Sequence, residues 1–135
     1  ALMDDSRLSL KALAGITGLS SPSVGERLRR LEERGVLTHY TVDIDPKHFG
    51  YLLQAIVRIR PLPGKLQEVE RQIQAIPEFT ECDKVTGEDC FIARLQVRTM
   101  DHLDTLLDRI NAYAETNTAI VKKTPVKRRL PPLAD

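Results

Sequence analysis

The sequence predicts an α+β fold in two parts, and three observations predict it. Residues 9–35 read as a helix, a glycine turn and a second, arginine-rich helix. From Leu52 onward the apolar pattern changes from the helical period to the order strand, helix, strand, strand, helix, strand. Between the two patterns, residues 43–51 read as a connector, with Asp45-Pro46 as a turn signal. The division expected is a helix-turn-helix unit over residues 1–42, a linker over 43–51, and a βαββαβ, ferredoxin-like domain over 52–135, with an antiparallel sheet and two helices on one face.

In the first helix Leu10, Leu13, Ala14 and Thr17 recur at helical spacing, and Ser9 is placed to accept from an orphan amide at its start. Gly18 can take a positive φ without a Cβ clash and so end that helix, with Leu19 as an apolar plug between the two helices. Ser21 is expected to cap the next helix and Pro22 to start it, since proline at the first helical position loses no needed hydrogen bond. Val24, Leu28 and Leu31 then share the face that packs on the first helix.

The opposite face carries the chemistry. At about 100° per residue, Ser23, Glu26, Arg29 and Arg30 point away from the apolar stripe, with Arg27 on its flank. Short hydroxyls near the N-terminus followed by arginines suit a helix inserted into the DNA major groove. Arginine reads guanine O6 and N7 bidentately, and serine reaches base edges or phosphates. The candidate DNA-binding set is Ser21, Ser23, Glu26, Arg27, Arg29 and Arg30. The bland alternative is an amphipathic helix with a solvated charged face, and the serine-proline entry together with the glycine-leucine turn weighs against it. After Gly35 stops the helix, residues 36–42 alternate as a short strand or wing.

In the second part Leu53, Ala55, Val57 and Ile59 alternate with Gln54, Arg58 and Arg60 as a half-buried strand, and Pro61-Leu62-Pro63-Gly64 turns the chain. A helix over residues 65–76 carries the stripe Leu66, Val69, Ile73 and Ile76 and is ended by Pro77. Residues 79–86 and 90–97 read as two strands around Gly87-Glu88-Asp89. A helix over 101–114 turns Leu103, Leu106, Leu107 and Ile110 inward, and residues 116–123 form the last strand. Helices on one face leave the other open. Ile56, Ile92 and Ile120 are candidates for that open face, depending on register, and a homodimer built sheet to sheet is the expected remedy.

Composition bounds the rest. The chain has 135 residues, 41% of them hydrophobic, and a net charge of only +1, so no overall basic excess announces nucleic-acid binding. The positive charge is local, at Arg27, Arg29, Arg30 and Arg34 and again at Lys122, Lys123, Lys127, Arg128 and Arg129. No apolar run approaches the roughly 20 residues that span a bilayer, and no signal-peptide pattern opens the sequence, so a soluble cytoplasmic protein is expected. Cys82 and Cys90 show neither zinc spacing nor a disulfide framework and are expected as buried structural cysteines. A hairpin at Gly87-Glu88 sets Cys90 opposite Val85 rather than Cys82. His39, His48 and His102 are scattered, so no metal site, cofactor or catalytic group is expected.

The layout resembles the leucine-responsive regulatory protein / asparagine-regulator (Lrp/AsnC) family of prokaryotic transcription factors, nearly end to end. The carriers are Asp5-Ser6-Arg7-Leu8-Ser9, Gly18-Leu19-Ser20, Arg27-Leu28-Arg29-Arg30-Leu31-Glu32, Gly35-Val36-Leu37 and Thr86-Gly87-Glu88. The resemblance implies a DNA-binding regulator of transcription, controlled by a small effector, usually an amino acid, and assembled as dimers and larger rings. It implies effector contacts near Thr86, Gly87, Glu88, Asp89 and Cys90. Taken by themselves, those residues also fit a plain hairpin turn. The sequence departs from the family's Gly-x-x-Asp-Tyr, because Cys90 stands at the acidic position and Phe91 at the tyrosine. Against the same pattern, Ala1-Leu2-Met3 reads as the end of a first helix whose earlier turns are absent. The alternative function is a sirohaem-decarboxylase-like enzyme of the same architecture, which needs basic and histidine groups in its pocket. A third is an effector-binding module that no longer binds DNA, which the outward arginines oppose.

Overall fold

The computed structural model describes residues 1–133 and divides into two compact units, residues 1–44 and 45–135. In the first, helix α1 (Leu10–Thr17) starts where the Ser9 hydroxyl accepts from the Ala12 amide at 3.0 Å. It ends at Gly18, whose φ of 76° lets its N–H return to the Ala14 carbonyl. Helix α2 (Ser21–Glu33) follows after three residues. Its cap is Ser20 rather than Ser21: the Ser20 side chain accepts from the Ser23 amide at 3.3 Å, so Ser21 is the first helical residue and Pro22 the second. The shift has a local cause. Proline disfavours the helical region for the residue before it but does not forbid it, and Ser20 already holds the extended conformation that a capping side chain needs.

Leu13 and Val24 are the buried apolar residues of this unit, and Gly25 lies against Leu10, with room for a Cβ at an ordinary contact distance of 3.7 Å from its side chain. At its far end α2 stops at Gly35 (φ 74°), with the Gly35 amide on the Glu32 carbonyl and the Val36 amide on the Leu31 carbonyl. That pair of bonds is the Schellman arrangement. The wing expected over residues 36–42 is not a strand: Val36 and Leu37 lie in a bend, Leu37 bonds back to Leu31, and the Tyr40 hydroxyl reaches Glu32 at 3.0 Å. Alternation gives a strand only where a second strand can pair with it, and within the described residues of this unit there is none.

The second unit begins with a short 3-10 turn, Pro46–Phe49, capped by Asp45. Strand β1 (Leu53–Pro61), helix α3 (Leu66–Ala75), strands β2 (Phe79–Lys84) and β3 (Phe91–Val97), helix α4 (Met100–Asn111) and strand β4 (Ala114–Ile120) follow in the expected order. The strands lie β2-β3-β1-β4, every pairing antiparallel. Ala55, Val57 and Ile59 of β1 and Phe91, Ala93, Leu95 and Val97 of β3 point to one side, where Val69 and Ile73 of α3 and Leu103, Leu106, Leu107 and Ile110 of α4 cover them. This is the core.

The period of two then fixes what the other side carries. Gln54, Ile56 and Arg58 of β1 meet Gln96, Arg94 and Ile92 of β3 across the strands, and Arg60 meets Glu115 of β4. Ile56 and Ile92 are therefore on the open face as expected, but Ile120 is not. Ile120 pairs with Ala55, so it belongs to the helix-covered side, at the margin of the sheet, and Ala119 opposite Ile56 takes the open position. One residue of register decides this, because a slip of one reverses every side chain of a strand. The cysteines also differ in part from expectation. Cys82 is exposed and Cys90 half-buried, both are free, and the Val85 amide bonds the Cys90 carbonyl at 2.8 Å while Cys82 pairs with Ala93.

Candidate DNA interface and effector turn

The exposed side of α2 holds Ser23, Glu26, Arg27, Arg29 and Arg30, and Pro22, Ser23, Glu26, Arg27 and Arg30 line a shallow, open depression of about 350 Å³. Its arginines are not alike. Arg29 is held by two carboxylates: its Nη2 donates to Glu26 at 2.7 and 2.8 Å, and its Nη1 to Glu33 Oε1 at 2.8 Å. Arg30 reaches the same Glu26 through Nε at 3.3 Å, while Arg27 has no carboxylate partner among the described residues. The Arg29 hydrogen bonds hold the Glu26 carboxyl below its ordinary range, and Arg29 is correspondingly raised. Glu26 thus gathers two guanidinium groups on the face that a groove would meet. Ser21 is half-buried at the helix start, and the Ser23 hydroxyl accepts from that of Ser20 at 2.9 Å.

Residues 86–90 form the turn between β2 and β3, and Gly87 sits at φ 109°, a conformation that glycine adopts without strain. The turn is not isolated. Arg60, at the end of β1, donates to Glu88 at 3.0 Å and lies 3.7 Å from Asp89 and 3.9 Å from Glu115 of β4. One guanidinium therefore ties both acids of the turn to the sheet. The sequence shows Arg60 only as an outward residue of an alternating strand. Its role depends on Ile59 pairing with Phe91, which brings the next residue beside the turn. Thr86 and Glu88 are exposed, Asp89 and Cys90 half-buried.

A second polar cluster was not legible in the sequence. The Arg98 amide donates to His102 Nδ1 at 2.9 Å, so that nitrogen is unprotonated in this arrangement, and His102 Nε2 lies 2.9 Å from Glu78 Oε2. His102 therefore holds the start of α4 to the residue before β2. The Arg98 side chain donates to the Phe49 carbonyl at 2.7 Å and stacks 4.3 Å from the Tyr51 ring.

Comparison with known proteins decides what this architecture is. Residues 54–131 match the Lrp/AsnC ligand binding domain, and residues 1–38 match a winged helix-turn-helix DNA-binding domain. The chain belongs to the Lrp/AsnC family. It is similar to the transcriptional regulator FL11 of Pyrococcus horikoshii, 32% identical over 91% of this chain and 83% of that one. It is 37% identical to the regulator LrpA of Mycobacterium tuberculosis over 87% of this chain and 79% of that one. Among solved structures it is similar to Bacillus subtilis LrpC, with a TM-score of 0.88 at 28% identity, covering 94% of this chain and 91% of that chain. A feast or famine regulatory protein from M. tuberculosis complexed with L-methionine superposes with a TM-score of 0.87 at 35% identity, over 96% and 90% of the two chains. This Lrp/AsnC member is a helix-turn-helix DNA-binding transcriptional regulator under effector control, and the names of its relatives favour that reading over the decarboxylase alternative. No helix of the described residues is long and apolar enough to cross a membrane.

Proposed function

We propose that this regulator is a cytoplasmic homodimer, associating further into larger rings, that reads a pseudo-palindromic site through α2 and answers to a small α-amino acid or related metabolite. In this reading Ser21, Ser23, Glu26, Arg27, Arg29 and Arg30 face the major groove. The observation that carries it is a capped, Schellman-stopped helix whose apolar side is taken by α1 and whose arginines are all outward. One short helix reads few base pairs, and two copies spaced about one helical turn read enough. The open sheet face, with Ile56 and Ile92 between Arg58, Arg94 and Gln96, is the surface proposed to join the copies.

The effector is assigned to Thr86, Gly87, Glu88, Asp89 and Cys90. An α-amino acid offers a carboxylate to backbone amides and a guanidinium, and an ammonium to carboxylates. The turn presents both kinds of partner, since Arg60 stands against Glu88 and Asp89. The L-methionine carried by a structural relative supports the ligand class. Cys90 removes a charge from the site and favours an effector with a less polar side chain.

Calorimetric titration of the full chain with the twenty amino acids, repeated on Gly87→Val, is the test. A valine at φ 109° forces the turn to rearrange, so binding heats should vanish. Equal heats in both proteins would place the effector elsewhere, and no heat in the unaltered protein would leave residues 86–90 as a turn alone.

A further inference from the structure

The charge of this regulator is distributed in a way that its recognition helix does not explain. Helix α2 carries three arginines and three glutamates, and the unit over residues 1–44 carries six cations and six carboxylates. The unit that enters the groove is therefore electrically neutral, and two of its outward arginines already have carboxylate partners. Residues 45–121 are worse placed, with nine cations against twelve carboxylates. Duplex DNA is held chiefly by neutralising phosphates, which needs unpaired cations.

Those cations are in one place. Lys122, Lys123, Lys127, Arg128 and Arg129 fall within eight residues that contain no carboxylate. The last backbone bond that ties this end to the sheet is from the Val121 amide to the Gln54 carbonyl at 2.8 Å. Beyond it every residue from Lys122 to Leu133 is exposed and none lies in a helix or strand. None of the five cations makes an ion pair among the described residues. A run of five exposed cations, without ion pairs among the described residues, matches a phosphate backbone in charge.

We propose that residues 122–129 form a second DNA-binding surface, a sequence-independent phosphate clamp that supplies the electrostatic attraction the neutral helix-turn-helix unit lacks. Binding is then divided between two parts of the chain: α2 reads bases and the tail holds the backbone. Phosphate contacts of this kind fix position without carrying sequence information.

The test uses the full chain with Lys122, Lys123, Lys127, Arg128 and Arg129 all replaced by glutamine, and a second variant in which every lysine of the five becomes arginine and every arginine lysine. Affinity for a random-sequence duplex of about 30 base pairs is measured across a salt series, with light scattering on each protein. Each bound tail should contribute close to 0.9 to the salt slope per phosphate neutralised. The glutamine variant should therefore show a slope shallower by up to about 4.5 for each bound copy of the segment, and at least about a tenfold loss of affinity at physiological salt. The exchanged variant should keep both, because charge and not side-chain shape is at work. An unchanged slope in the glutamine variant would overturn the proposal. So would a weakened slope accompanied by a fall in molar mass, which would make the tail a contact between copies. A loss confined to single-stranded RNA of the same length, with duplex binding intact, would overturn it equally.

Discussion

Replacing Leu13 by alanine should unfold the DNA-reading unit and leave the other unit standing. Leu13 and Val24, each 5% exposed, are the buried apolar residues of the unit over residues 1–44, whereas the second unit holds a core of fifteen. At about 0.05–0.15 kcal/mol per residue, a unit of this size has roughly 2–7 kcal/mol of stability in all. A buried leucine truncated to alanine costs about 2–5 kcal/mol, because the lost transfer energy adds to the cavity left behind. The two ranges overlap, so a single substitution suffices to leave α1 and α2 mostly unfolded. Leu13 is not among the fifteen residues of that core, so the cavity it leaves opens in its own unit. Amide hydrogen exchange resolved by residue is the assay, read beside a DNA gel shift. Protection should collapse in Leu10–Thr17 and Ser21–Glu33 and persist in β1 and β3, and DNA binding should be lost. Leu13→Met, which conserves volume, should cost less than about 1.5 kcal/mol and keep DNA binding. Equal loss of protection in both units would show that they fold as one and refute the reasoning, as would unaltered DNA affinity in Leu13→Ala.

Arg29→Ala and Arg30→Ala should each weaken DNA binding about five- to a hundredfold if the side chain reads guanine, with relaxed preference at one base position, while thermal stability changes little. Gel shifts across a randomised site show which, and normal affinity in the double variant would remove α2 from the groove. The acid response should run through Glu78. Its hydrogen bond to His102 holds the carboxyl below the ordinary glutamate value of 4.5, so the stabilisation is present above that value and is lost as pH falls through the lower, folded one. Glu78→Gln should therefore lower the melting temperature at pH 7 and flatten its decline below pH 4.5. Parallel melting curves for the two proteins across that range would count against the Glu78–His102 link.

The elements of this regulator were determined locally, and the sequence by itself determined them. Ser9, Gly18 and Gly35 act within one turn of the helices they bound, and the stripes of Val69 and Ile73 or of Leu103, Leu107 and Ile110 need only helical spacing to announce a buried face. The turn at Gly87 between two alternating runs is equally local, which is why Cys90 falls opposite Val85 as expected. Where two neighbouring residues compete for one role, local signals divide: Ser20 and Ser21 are both good caps, and only the backbone conformation chose Ser20. What the tertiary structure alone decided depends on pairing between distant segments. The register of β1 on β4 sent Ile120 to the helix side, and the register of β1 on β3 brought Arg60 to Glu88 and Asp89. The approach of α4 to the start of β2 joined His102 to Glu78. Residues 36–42 alternate like a strand and stay unpaired, because a strand is a property of two segments and the sequence of one cannot supply the other's hydrogen bonds.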